Sequence, residues 1–294
     1  MKFGTVAIIG RSNVGKSTLL NCLLGEKISI VSSKPQTTRT RILGVVHAEG
    51  AQIAFLDTPG LHKPAHLLNR RMIRTAVEAL EEADLLYMLM DGTSAPGPGD
   101  MAAIQYMKEA LDKRPRPVIL VVTKIDRVNQ QKLLPTLERY AKLFAWTEIV
   151  PVSALANDNI KRLLAVTIPY LLPGEGGYGE DVVTDQTMRT LAAEMIREKV
   201  LLETEEEVPH AVAVEIDEFV EEGKLARIHA SIFVERETQK AILIGKQGER
   251  LKSIGTQARV DMEKLFEMKV FLKLWVKVKN SWREDEQTLA QLGY

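Results

Sequence analysis

The sequence predicts an α/β fold: a doubly wound, mostly parallel sheet with one antiparallel edge strand, followed by a smaller α+β domain. Apolar runs at residues 6–9, 42–48, 53–56, 85–90, 118–122 and 149–152 alternate with helix-length segments through the first half. A Gly-rich break, Pro173-Gly174-Glu175-Gly176-Gly177-Tyr178-Gly179, then interrupts the pattern. No helix or central strand tolerates such a run. Beyond it the order becomes helix, strand, strand, helix, helix, strand, and 294 residues leave room for two cores.

Taken in order, the runs at 42–48 and 53–56 are separated only by Glu49-Gly50-Ala51-Gln52. That is too short for a crossover helix, so these two strands form a hairpin at one sheet edge. The other connections have room for helices, which makes those strands parallel. The first domain is expected over residues 1–173 and a linker over 174–183. The second domain, 184–294, closes with a C-terminal helix. Asp185 is the expected N-cap of a helix reaching Leu202, with Met188, Leu191, Ala192, Met195 and Ile196 at helical spacing. Strands follow at 211–220 and 225–234, helices at 239–243 and 249–266, and a strand at 270–278. That last strand alternates, with Val270, Leu272, Leu274, Val276 and Val278 on one face and Phe271, Lys273, Trp275, Lys277 and Lys279 on the other.

The net charge is zero, yet residues 203–237 hold 11 acidic and 3 basic side chains, whereas residues 238–283 hold 11 basic and 4 acidic. Basic clustering of this kind suits a phosphate-facing surface. The longest apolar runs fall far short of the ~20 residues that span a bilayer. The opening Met1-Lys2-Phe3-Gly4 lacks the features of a secretory signal, so a cytoplasmic location is expected. Cys22, the single cysteine, sits among Leu19, Leu20, Leu23 and Leu24 and reads as a buried helix position.

Directly after the first strand, Gly10-Arg11-Ser12-Asn13-Val14-Gly15-Lys16-Ser17 matches the phosphate-binding loop pattern in full and runs through Thr18 into a helix. Glycines let successive backbone N–H groups turn toward phosphates, the helix N-terminus adds positive potential, and Lys16 reaches the β and γ phosphates. Ser17 is the expected Mg²⁺ ligand. Asp57-Thr58-Pro59-Gly60 ends the third strand, placing a carboxylate on the metal side and the Gly60 N–H toward the γ-phosphate. Thr37 and Thr38 lie in the apolar-poor stretch 32–41, which can close over the metal through one threonine hydroxyl, and Thr38 is the one expected to do so. Thr123-Lys124-Ile125-Asp126 follows the fifth strand, where the Asp126 carboxylate can accept from guanine N1 and N2, a donor pair adenine lacks. Ser153-Ala154-Leu155 follows the sixth strand and sets the Ala154 N–H toward guanine O6. GTP, GDP and Mg²⁺ are therefore the expected ligands.

These five segments in this order resemble the translation-factor-related GTPases. The likeness to the Era family runs through the whole chain, including Lys34-Pro35-Gln36-Thr37-Thr38-Arg39 and the closing Leu292-Gly293-Tyr294. The sequence departs from the family at Thr123, where the pattern usually has Asn. Leu61 stands where Ras-like enzymes carry the water-orienting glutamine, and the adjacent His62 is a weak substitute. Catalysis is expected to rest on Lys16, Mg²⁺ and the Thr38 and Gly60 backbones, and to be slow unaided. The resemblance also implies a K⁺ ion held near the phosphates by Asn13.

In the second half, Gly245-Lys246-Gln247-Gly248 lies between two short helices, with Lys240, Ile244, Arg250, Lys252 and Arg259 nearby. This resembles a type II KH domain, whose GxxG loop clamps a nucleic-acid backbone. The Phe271, Lys273 and Trp275 face is a second candidate for stacking and phosphate contact. The family resemblance implies a monomer that binds the 3′ region of small-subunit ribosomal RNA during maturation of the small ribosomal subunit and associates peripherally with the inner membrane. Two other readings compete: an RNA chaperone or scaffold in which GTP is structural, and a metabolic P-loop kinase, which the guanine-selecting segment opposes.

Overall fold

The strands at the centre of the first half are apolar at most positions, which suits burial on both faces. In the computed structural model, which describes residues 1–61 and 66–294, β1 (Lys2–Ile9), β2 (Ile42–Ala48), β3 (Ala51–Asp57), β4 (Leu85–Asp91), β5 (Val118–Thr123) and β6 (Glu148–Pro151) form one sheet in the order β2-β3-β1-β4-β5-β6. All neighbouring pairs along this order are parallel except β2–β3, the hairpin at the edge. Every residue of β3, β4 and β5 is buried. Between the strands run α1 (Lys16–Leu24), α2 (Leu67–Glu82), α3 (Pro98–Lys113), α4 (Gln130–Ala141) and α5 (Ile160–Thr167).

Compact units divide the chain at Asp185. Among described residues, the first unit comprises Met1–Ser29, residues 38–61 and Arg71–Asp185, and the second comprises Ile30–Thr37, residues 66–70 and Gln186–Tyr294. The Gly-rich stretch expected as a linker over 174–183 is bound to the first unit. A short strand, β7 (Leu172–Pro173), pairs with the start of β1. Gln52 Nε2 then donates to the Tyr178 carbonyl at 2.7 Å, and the Val45 N–H donates to the Val183 carbonyl at 2.8 Å. β2 is an edge strand with unpaired backbone groups, and this strap accepts from one of them, the Val45 N–H.

In the second unit, α6 (Met188–Glu203) is capped by Thr187, whose hydroxyl accepts from the Thr190 N–H, rather than by Asp185. β8 (Ala213–Glu222) and β9 (Leu225–Val234) form an antiparallel hairpin, and β10 (Lys269–Val278) joins β9 in parallel, giving the order β10-β9-β8. α7 (Glu237–Ile244) and α8 (Glu249–Phe266) precede β10. Leu243, Ile254, Ala258 and Met262 are fully buried, as are Ile228, Ala230 and Ile232. The chain ends in α9 (Glu286–Gln291), beside a buried Trp282 that donates to the Ala211 carbonyl and stacks on Tyr294 at 6.0 Å.

Residues 30–37 are held against α6 by two polar contacts. The Arg197 guanidinium, wholly buried, donates to the Thr37 carbonyl at 2.5 Å and pairs with Glu194. The Glu198 carboxylate accepts from the Val31 N–H at 2.9 Å.

Candidate functional site

The phosphate loop joins β1 to α1 through backbone that most residues resist. Gly10 has φ +150°, Asn13 φ +61° and Gly15 φ +108°. A Cβ on Gly10 would lie 2.8 Å from the Leu89 carbonyl, so the loop passes the end of β4 too closely for any side chain there. Lys16 turns back over this loop and its Nζ donates to the Arg11 carbonyl at 3.1 Å. Burial draws the Lys16 ammonium down to about 8, with the Asp57 carboxylate opposing and Arg11 adding to the fall. A phosphate placed there would raise it again.

Below the loop lies an all-oxygen cluster. Ser17 Oγ donates to Asp57 Oδ2 at 2.6 Å and lies 2.8 Å from Thr38 Oγ1, while Ser29 Oγ donates to the same Asp57 oxygen at 2.9 Å. Asp57 is fully buried, and its Oδ1 has no hydrogen-bond partner. Burial raises its pKa, with Lys16 and the two serine hydroxyls opposing. A buried carboxylate oxygen without a donor, beside two hydroxyls, fits a hard divalent cation such as Mg²⁺. Ser29 was not legible as part of this site, because it stands outside any phosphate-loop pattern.

Thr58 Oγ1 donates to the Ile8 carbonyl, which brings Pro59 and Gly60 against the phosphate loop. A Cβ on Gly60 would lie 2.5 Å from Ser12 Oγ and 2.8 Å from the Ser12 nitrogen. Leu61 is wholly buried in the first unit's core, with Ile9, Met88 and Ala103, and therefore offers nothing to a water. His62 lies outside the described residues.

At the far side, Thr123 is buried and donates to the Val14 carbonyl at 2.7 Å. Lys124, at φ +61°, places Nζ 2.8 Å from the Asn13 carbonyl and 2.7 Å from Asp91 Oδ2. Asp91 also accepts from Arg11 at 3.3 Å, which makes it a clamp on the loop. The signal for it was an acid closing the apolar run 85–90. Asp126 Oδ1 accepts from Ser153 Oγ at 2.6 Å, so the turn at Ser153, Ala154 and Leu155 is tied to the carboxylate. Leu155 is 70% exposed. Arg127 Nε lies 3.9 Å from Asp126 Oδ2, and the carboxylate has lone pairs left that could accept a paired donor. Ile125 lies behind it, its N–H directed to the Val152 carbonyl. Thr18, in the first turn of α1, is half-buried. Cys22 is half-buried rather than buried, and burial raises its thiol pKa.

The second unit's candidate surface is the turn between α7 and α8. Gly245 has φ +72°, Gln247 φ +51° and Gly248 φ +82°, and Lys246 and Gln247 are exposed. A Cβ on Gly245 would lie 2.9 Å from that of Arg250. Arg250 donates to the Ile242 carbonyl at 2.6 Å and so caps the end of α7. Ile244 is half-buried, and the half-buried Lys240 lies 3.9 Å from Glu237. A groove of about 520 Å³ runs from Gly248 and Lys252 along α8, past Arg259, to Leu272 and Leu274 of β10.

Fold and sites together define a P-loop GTPase domain followed by a KH domain. A family model described as 50S ribosome-binding GTPase matches residues 5–124, and a KH domain model matches residues 207–283. The chain is 46% identical over 294 residues to GTPase Era of Ruminiclostridium cellulolyticum, covering 100% of this chain and 97% of that protein. It is 46% identical to GTPase Era of Syntrophus aciditrophicus, covering 100% and 95%. Two solved structures superpose with a TM-score of 0.95 and cover 100% of this chain and 99% of theirs. One is an Aquifex aeolicus Era variant bound to GDP and AlF4⁻, at 43% identity; the other is Era in complex with MgGDPNP and nucleotides 1506–1542 of 16S ribosomal RNA, at 42% identity. The chain belongs to the Era family. No helix among the described residues is long and apolar enough to cross a membrane.

Proposed function

We propose that this protein binds GTP, hydrolyses it to GDP and phosphate, and uses the nucleotide state to govern a grip on small-subunit ribosomal RNA. The observation that carries the reading is the buried oxygen cluster of Asp57, Ser17 and Thr38 under the phosphate loop. Relatives bound to GDP with AlF4⁻, and to MgGDPNP with 16S ribosomal RNA, support it.

Ser17, Thr38 and Asp57 would hold Mg²⁺, directly or through water, and the ion would offset charge on the β and γ phosphates. Residues 10–18 wrap the phosphates, and Lys16 supplies a fixed positive charge. Asp126 accepts from guanine N1 and N2, with Ser153 orienting it and Ala154 facing O6. A water attacks the γ-phosphorus in line, the bond to the β–γ bridging oxygen breaks, and negative charge shifts onto that oxygen. Lys16 stabilises this charge, the Gly60 N–H faces the γ-phosphate, and the Thr38 backbone positions the water. With Leu61 in the core, turnover is slow until RNA or an assembling subunit assists. The Thr37 carbonyl is held by Arg197, and the next residue, Thr38, lies on Ser17. The chain acts in the cytoplasm, where GTP and immature subunits meet.

The test is RNA titration with a 3′ fragment of small-subunit ribosomal RNA in the presence of Mg²⁺ with a nonhydrolysable GTP analogue, and again with GDP. Tighter binding with the analogue is expected. Equal binding in both states would leave GTP a structural ligand and favour the scaffold reading.

A further inference from the structure

Two buried acids beside the nucleotide loops take no part in the chemistry proposed above. Asp91 closes β4 and Asp100 stands in the first turn of α3, and the two residues are 5% and 3% exposed. A carboxylate stays charged at such depth only beside cations, and here the cations come from the nucleotide loops themselves. Arg11 of the phosphate loop extends toward β4, on the opposite side of β1 from β3 and Asp57. Its Nη2 lies 3.3 Å from Asp91 Oδ2 and its Nε 3.2 Å from Asp100 Oδ1. Lys124, before Asp126 in the base loop, donates to the same Asp91 oxygen at 2.7 Å and to the Asn13 carbonyl at 2.8 Å.

Each acid uses one oxygen to fix its own turn and the other to hold the loops. Asp100 Oδ2 accepts from the Gly97 N–H at 2.9 Å, and Asp91 Oδ1 accepts from the Thr93 N–H and hydroxyl at 3.0 and 2.6 Å. Gly99 lets α3 come this close, since a Cβ there would lie 3.3 Å from that of Arg11. Arg11 Nε and Asp100 Oδ1 are both buried and share no hydrogen bond, so charge rather than a directed bond holds that pair. The phosphate loop needs such an anchor. Its N–H groups turn inward around an anion, and Gly10 and Asn13, on either side of Arg11 and Ser12, both have positive φ. A loop held in that shape keeps its ligand by leaving no ordering to be done on binding.

We propose that Asp91 and Asp100 are positioning residues that set the residence time of the bound nucleotide, acting through Arg11 on the phosphate loop and, for Asp91, through Lys124 on the base loop. This rests on the reading of the site as a guanine-nucleotide site and adds the two acids that hold its loops in one frame.

The test is release of a fluorescent GDP analogue from the full chain, chased with excess GDP, beside its association rate. Asp91→Asn and Asp100→Asn keep an oxygen for the Thr93 and Gly97 N–H groups and lose the charge that faces Arg11. Each should speed release about 10- to 100-fold, while association stays within about threefold of wild type. Arg11→Met removes the cation that both acids hold. In that background Asp100→Asn should add nothing to the release rate, and Asp91→Asn only the part carried by Lys124. Wild-type release by folded Asp91→Asn and Asp100→Asn would overturn the proposal. So would an Asp100→Asn effect that persists undiminished beside Arg11→Met, because it would then come from the α3 turn alone. Failure of the wild-type chain to bind the GDP analogue would defeat the guanine-nucleotide reading itself, and this proposal with it.

Discussion

The Thr123 hydroxyl donates to the Val14 carbonyl at 2.7 Å, fastening the end of β5 to the phosphate loop. The same oxygen lies 3.3 Å from the Met90 carbonyl. Thr123 stands where the family pattern usually has Asn, so a shorter side chain keeps a donor in this place. Thr123→Val should leave buried carbonyls without it, lowering stability by about 1–3 kcal/mol and weakening GTP. Thr123→Asn should retain both, as a thermal melt and nucleotide titration will read; equal loss in the two variants would mean the hydroxyl has no such part.

Asp126 accepts from Ser153, and under the proposed reading its remaining lone pairs take the base. In Asp126→Asn the new amide donates where the carboxylate accepted, so preference should move from guanine toward xanthine nucleotides. Competition between GTP and XTP measures this. A retained preference for GTP would place the base pocket elsewhere.

Gly60 has room for no side chain against Ser12. Gly60→Ala should force the loop after β3 away from the phosphate loop and cut GTP hydrolysis by about 100-fold, the order seen when one charge-stabilising donor is lost. GDP affinity should change far less. Single-turnover hydrolysis beside GDP titration separates the two, and a wild-type rate would argue against a role for the Gly60 N–H.

The Lys16 ammonium is held at about 8 by burial in the nucleotide-free protein. Its unfolded value is the ordinary 10.5, so between these values the unfolded chain holds the extra proton and this group makes stability rise with pH. Phosphates raise the folded value again, so GTP binding takes up a proton above pH 8, and affinity should fall by up to about tenfold per pH unit there. Calorimetry in two buffers of different ionisation enthalpy counts that proton. Flat affinity from pH 7 to 9.5 would contradict it.

Much of the first unit was legible because its chemistry follows one local pattern per strand end. Gly10 to Ser17, Asp57 to Gly60, Thr123 to Asp126 and Ser153 to Leu155 each close an apolar run, and the four-residue break at Glu49 dictates the hairpin. What escaped depends on contacts distant in sequence. The strap at 174–183 reads as a linker from its glycines, and only the unpaired edge of β2 explains where it lies. Ser29 joins Asp57, and Arg197 holds Thr37, through side chains with no motif around them. Arg250 follows the GxxG turn, and its guanidinium also caps α7 through the Ile242 carbonyl, a contact that no local pattern announces.

The most direct test of the account is GTP turnover by the full chain in Mg²⁺, with and without a 3′ fragment of small-subunit ribosomal RNA, beside the Asp57→Asn variant. The account predicts slow hydrolysis by the protein alone, a clear acceleration by the RNA, and loss of both in the variant, whose RNA groove is untouched. Absence of turnover under either condition, or a rate indifferent to both RNA and Asp57, would contradict it.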